Sequence, residues 1–151
     1  MNHGIAVTPD TFSIAGLRSD KLFLWGDSSF NQTNMPDLPD SVFITQIVAG
    51  NNHNLILAGD VTLQENDSIS FYRVENKRLV AWGDNTYGQC DIPVKFNPIA
   101  DSLTIIKIDA GANHNLVLYD SSGVTKMAAW GDNTYGQSDI SVAPNHNDSE
   151  K

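Results

Sequence analysis

Ala129-Trp130-Gly131-Asp132-Asn133-Thr134-Tyr135-Gly136-Gln137 repeats, without a single change, the earlier stretch Ala81-Trp82-Gly83-Asp84-Asn85-Thr86-Tyr87-Gly88-Gln89. A degraded copy, Leu24-Trp25-Gly26-Asp27-Ser28-Ser29-Phe30-Asn31-Gln32, stands further upstream. Identity over the whole phrase is far beyond chance, so the chain is built of repeats. A repeat unit that cannot bury its apolar face alone must stack on its neighbours.

A second phrase recurs between the Trp copies. Ile47-Val48-Ala49-Gly50-Asn51-Asn52-His53-Asn54-Leu55-Ile56-Leu57 aligns with Ile108-Asp109-Ala110-Gly111-Ala112-Asn113-His114-Asn115-Leu116-Val117-Leu118. A fainter relative, running from Ala6 to Gly16, places Phe12 where the others have His. Three units follow, at roughly 5–40, 41–100 and 101–142, within a repeat domain spanning 1–144. A polar tail, 145–151, closes the sequence.

Short alternating apolar segments dominate, among them Lys21–Trp25, Asn54–Leu57, Leu79–Trp82 and Leu103–Ile108. They have strand length and are rich in β-branched and aromatic residues. No apolar pattern of helical period persists for three turns, so the expectation is all-β. Ser19-Asp20, Ala58-Gly59-Asp60 and Ser121-Ser122-Gly123 read as turns between strands. The stretch Gly59 to Lys77, with strand character from Ser68 to Val74, reads as a lengthened hairpin special to the second unit. Gly after each Trp permits a close backbone approach, Asp-Asn closes a turn, and Trp is the expected core residue between repeats.

These phrases resemble the repeat of the regulator of chromosome condensation family. The likeness is greatest to its bacterial branch, which includes the propeller-type beta-lactamase inhibitor proteins. It covers nearly the whole chain outside the tail, although the first unit lacks the Tyr-Gly and departs at Phe12. The resemblance implies four-stranded propeller blades, usually seven to a ring. About three blades make an incomplete ring, since closed propellers hold about 4–8. The exposed radial faces then need a cover, either copies of the same chain or a partner supplying further blades.

Composition narrows the function. With 151 residues, the sequence makes one domain or part of one, large enough for a real core. Nine Lys and Arg against 18 Asp and Glu give a net charge of −9 and no basic cluster. Nucleic-acid binding is driven by Lys and Arg neutralising phosphates, so neither nucleic acid nor an anionic membrane is expected as partner. Neither a signal peptide nor a membrane-spanning run is visible, and the expected location is the cytoplasm or a virion. Cys90 is the single cysteine, standing where the next repeat has Ser138, and it reads as a neutral exchange.

Candidate sites are few. His53 and His114 share a repeat position without metal-ligand spacing, and read as framework residues bonding backbone in a turn. Asp27, Asp84 and Asp132 follow Trp-Gly in every unit and read as turn formers. No nucleophilic triad, phosphate loop or dinucleotide fingerprint appears, so no catalytic residue, cofactor or metal is assigned and no enzyme is expected. Phe30, Tyr87 and Tyr135 share one repeat position, where aromatics either pack on the next blade or form a binding face. Phe71, Tyr72 and Arg73 lie in the unrepeated hairpin and are the other candidate protein interface. The expectation is a self-associating or partner-completed binding module, such as a structural subunit of a virus particle or appendage. An inhibitor of a secreted enzyme and a guanine-nucleotide exchange regulator are the alternatives that the resemblance implies.

Overall fold

A computed structural model describes residues 3–8, 21–39, 42–66 and 69–140. All eight elements are strands, and no helix occurs among these residues. They are β1 (His3–Thr8), β2 (Lys21–Gly26), β3 (Val42–Ala49), β4 (His53–Asn66), β5 (Ile69–Gly83), β6 (Leu103–Ala110), β7 (His114–Ser121) and β8 (Val124–Gly131). They form three small antiparallel sheets, β1-β2, β3-β4-β5 and β6-β7-β8, each a blade-like layer. The Gly16 phrase, the Ser19-Asp20 turn and the polar tail lie outside the described residues.

The second and third sheets are built alike. His53 pairs with Gly83 and Asn54 with Trp82, as His114 pairs with Gly131 and Asn115 with Trp130. A register shift falls at the same repeat position in both, between Ile44 and Gln46 and between Ile105 and Lys107. Gly83 and Gly131 hold φ values of +112° and +108°, because a Cβ there would collide with the carbonyls of Asn52 and Asn113. The close approach lets the next amide donate to those carbonyls, Asp84 N to Asn52 O at 2.8 Å and Asp132 N to Asn113 O at 2.9 Å.

The first sheet corrects the alignment of its unit. His3 pairs with Gly26 and Gly4 with Trp25, the register that His53 and His114 hold in their sheets. His3, and not Phe12, is therefore the histidine of the first unit, and Phe12 lies outside the described residues. The first unit carries this histidine without the Ala-Gly that precedes it in the other two. Gly4 stands where the others have Asn.

Two further expectations change. Ala58-Gly59-Asp60 is no turn, since β4 runs through it with only a register shift between Ala58 and Asp60. Gly59 is needed there because a Cβ would lie 2.5 Å from the Val74 side chain and 2.8 Å from the Glu75 carbonyl. The alternation continues through Val61 and Leu63 to the pair Asn66 and Ile69, which gives the long hairpin expected of this unit. Ser122 and Gly123, both at positive φ, make the much tighter turn of the third sheet.

The implied fourth strand per blade is likewise missing from the described sheets, which have two, three and three strands. On the outer edge of β5 an irregular linker takes that place. Leu79 N donates to Phe96 O at 3.2 Å and Ile99 N to Lys77 O at 2.9 Å. Pro93 and Pro98 break the linker's ability to continue a ladder. Its Phe96 is fully buried and meets Tyr119 edge to face at 5.2 Å.

Two apolar clusters form, one in each space between sheets. Ile5, Leu22 and Leu24 of the first sheet meet Val42, Ile44, Ile47, Ile56, Val80 and Trp82 of the second. Leu55, Leu57 and Leu79 on the other side of the second sheet meet Ile105, Ile108, Val117, Tyr119 and Trp130 of the third. Period-2 alternation thus gives each strand one face toward the preceding sheet and one toward the following sheet. Burying a Leu or Val side chain contributes about 1.5–3 kcal/mol, so stacking is what stabilises these small sheets.

Candidate functional site

The repeated polar residues meet at the joints between sheets. In the first joint, the His3 ring Nε2 lies 2.9 Å from Asn54 Oδ1. Asn54 Nδ2 donates to the Gln32 carbonyl at 2.7 Å, and Trp82 Nε1 donates to the same oxygen at 3.1 Å. In the second joint, His53 Nε2 lies 3.0 Å from Asn115 Oδ1. There Asn115 Nδ2 donates to the Gln89 carbonyl at 2.6 Å, and Trp130 Nε1 donates to it at 3.1 Å. Because the Asn nitrogen is committed to a carbonyl, its oxygen accepts from the His Nε2–H; His3 Nδ1 also lies 3.1 Å from the Asn51 carbonyl, whereas His53 Nδ1 has no partner.

Each joint therefore has two unlike halves. A trailing face offers a His and the carbonyl of a Gln. The leading face of the next sheet offers an Asn and a Trp. His53 bonds the side chain of the next sheet rather than backbone in a turn, whereas the His3 ring bonds both the Asn54 side chain and, through Nδ1 at 3.1 Å, the Asn51 carbonyl in the turn before β4. Burial holds the His53 ring below its ordinary pKa, partly offset by the bond to Asn115. Its Nδ1 is buried and unpartnered. With its Nδ1 unpartnered, a neutral His53 ring satisfies this second joint.

The turn after each Trp presents the carbonyl at the right place. Asp27, Asp84 and Asp132 accept from the backbone amides of Ser29, Thr86 and Thr134 at 3.0, 2.9 and 2.9 Å. The hydroxyls of the same residues also donate to them. These bonds hold the Asp27 and Asp132 carboxyls below the usual carboxylate range. Gln32, Gln89 and Gln137 then fold back, each Oε1 accepting from the amide of Phe30, Tyr87 or Tyr135. Asp and Gln are turn formers that aim a carbonyl at the neighbouring sheet.

At the ends, the same residues face outward. On the trailing face of the third sheet, the His114 carbonyl accepts from Gly111 N at 2.8 Å, but among the described residues its ring forms no hydrogen bond and the Gln137 carbonyl meets no Trp or Asn. Met127 is 53% exposed where its counterpart Leu79 is fully buried. Leu116 and Leu118 are only half-buried, at positions equivalent to the buried Leu55 and Leu57. On the leading face of the first sheet, Phe23 is 49% and Trp25 56% exposed, whereas Trp130 is buried. A Cβ at Gly4 would collide with the Trp25 ring, so the indole lies across the strand where an Asn side chain would begin.

The candidate aromatics are separated into two places. Phe30, Tyr87 and Tyr135 sit on successive turns with exposed side chains, their backbone amides held by Gln. Phe71, Tyr72 and Arg73 lie on the β4–β5 arm, all exposed. Leu63 pairs across the arm with Tyr72 and Gln64 with Phe71, so Tyr72 and Phe71 point to opposite faces. Arg73 lies 3.6 Å from Glu75 in an exposed ion pair. An open groove at the root of the arm, lined by Arg73, Glu75, Lys77, Pro98 and Asp101, mixes both charges.

Chemistry elsewhere is sparse. Cys90 donates through Sγ to the Asp84 carbonyl as Ser138 Oγ donates to that of Asp132, which makes the exchange structurally neutral. Burial, with Asp84 and Asp91 nearby, pushes its thiol up to about 11, far from thiolate reactivity. Among the described residues, no group of three His, Cys, Asp or Glu converges as a metal site. No helix is long and apolar enough to cross a membrane.

No family model and no curated protein matches the chain. Among solved structures it is similar to the ectodomain of the receptor kinase CR4 from Physcomitrella patens, with 18% identity and a TM-score of 0.46. The match covers 75% of this chain, and the chain spans about a quarter (25%) of that ectodomain.

Proposed function

We propose that this chain is a non-enzymatic assembly module, built from propeller-type repeats of the kind found in the regulator of chromosome condensation family, whose end faces are covered by further protein. One observation carries the reading. The positions that are buried at the joints inside the chain, those of Leu79 and Trp130, are half exposed at its ends as Met127 and Trp25. Apolar faces of this kind, rimmed by polar groups, mark protein–protein contacts. The acidic balance of the chain favours protein over nucleic acid as the covering partner. A structural subunit of a larger particle is the role that such a module fits.

The test is to charge both faces at once. Phe23→Asp with Met127→Asp should reduce the particle mass in solution to that of one chain while leaving the strand spectrum intact, as read by light scattering and circular dichroism. An assembly whose mass is unmoved by both charges would contradict the reading.

A further inference from the structure

We infer that the partner at these faces is a second copy of this chain, seated head to tail, with the leading face of its first sheet covering the trailing face of the third. The inference rests on the assembly reading above. The joint is used twice inside the chain and consists of two unlike halves, and among the described residues one of each is left open. His114, the Gln137 carbonyl and Met127 stand at one end, Phe23 and Trp25 at the other. Unlike faces that complement each other on one molecule make a heterologous contact, which forms a ring when the rotation closes. Closed propellers hold about 4–8 blades, so with the three described sheets in each chain two copies fall within that range and three do not.

The details of the faces specify the contact. Trp25 holds the register from which Trp82 and Trp130 donate to the preceding sheet's Gln carbonyl. Its indole N–H has no partner among the described residues, and the Gln137 carbonyl of the second copy is the acceptor at the equivalent place. Gly4 replaces the Asn that would meet His114. The joint between copies therefore keeps the apolar contact and the indole bond but lacks the Asn bridge. It is a weaker version of the internal joint, which lets copies separate while each chain stays folded.

Two single variants test this by complementation. Phe23→Asp spoils only the leading face and Met127→Asp only the trailing face, and both residues are exposed enough to leave the fold intact. Each variant alone should run as a single chain in sedimentation velocity. An equimolar mixture at high concentration should recover twice the chain mass, because one variant keeps a sound trailing face and the other a sound leading face. Loss of association in both variants without recovery on mixing would overturn the head-to-tail joint while the assembly reading stands. Full association of Phe23→Asp alone would also overturn it, since a face pairing with itself needs only one kind. Association retained by both variants and by their combination would remove the assembly reading too. Trp25→Phe checks the indole bond. It keeps an aromatic ring on the leading face and removes the N–H, and it should loosen each joint about fivefold to tenfold, one hydrogen bond's worth. An unchanged dissociation constant in a folded variant would contradict the assigned contact.

Discussion

Trp130 and Trp25 occupy the same place in the same phrase, yet one is 8% exposed and the other 56%. The difference does not come from their own strands, which pair in the same register. It comes from what lies beyond. Trp130 has a sheet in front of it, with Leu55, Leu57 and Leu79 to pack on and a carbonyl to bond. Trp25 has none within the described residues. In a stacked repeat, the energetic meaning of a residue is set by its neighbour unit as much as by its own.

Truncation sharpens that comparison most. Trp130→Ala should lower unfolding stability by about 3–5 kcal/mol, the usual cost of emptying a large buried aromatic site. Trp82→Ala should follow, and Trp25→Ala should have the least effect when measured at concentrations where copies are separate. A denaturant series that ranked Trp25 highest would break the account of internal and terminal joints.

Asn115→Ala comes next. It leaves the His53 Nε2–H without an acceptor and the Gln89 carbonyl with one donor fewer, for a loss of about 1–3 kcal/mol. Asn54→Ala should match it, because the two joints are geometrically alike. Thermal melts that separate the two by more than the full effect of either would deny that equivalence.

Acid should act through the same joint. His53 binds its proton less readily folded than unfolded, where its pKa is about 6.5. Below that value the unfolded chain takes up more protons at this group, so its contribution to stability is constant above about pH 6.5 and falls as pH drops beneath it. His53→Gln should flatten that slope over the upper part of the window, at some cost in stability at neutral pH. Urea midpoints measured against pH in both proteins decide the point. The smallest effect belongs to Cys90→Ser, which copies Ser138 and should stay within about 0.5 kcal/mol by the same measurement.

The all-β reading was legible because strand length and alternation are local properties. So was the long hairpin of the second unit. The joints were not legible, since they connect residues far apart in sequence, His53 with Asn115 and Trp82 with Gln32. One signal for them was present. Asn follows His in the two later units and is replaced by Gly4 in the first, which marks that position as one that responds to a neighbour. His3 escaped notice because the degraded unit was aligned on its Ala-Gly, whereas the strand pairing aligns it on Gly26. Gly59 misled for a related reason. Glycine serves both tight turns and close backbone approach, and only the cross-strand neighbours Val74 and Glu75 distinguish them.

The native mass spectrum of the unmodified chain tests the central claim most directly, that the end faces are docking halves of a repeated joint. The account predicts a dominant species at twice the 16.5 kDa chain mass that dilutes to folded single chains. A single 16.5 kDa species at every concentration, unfolding cooperatively, would contradict it.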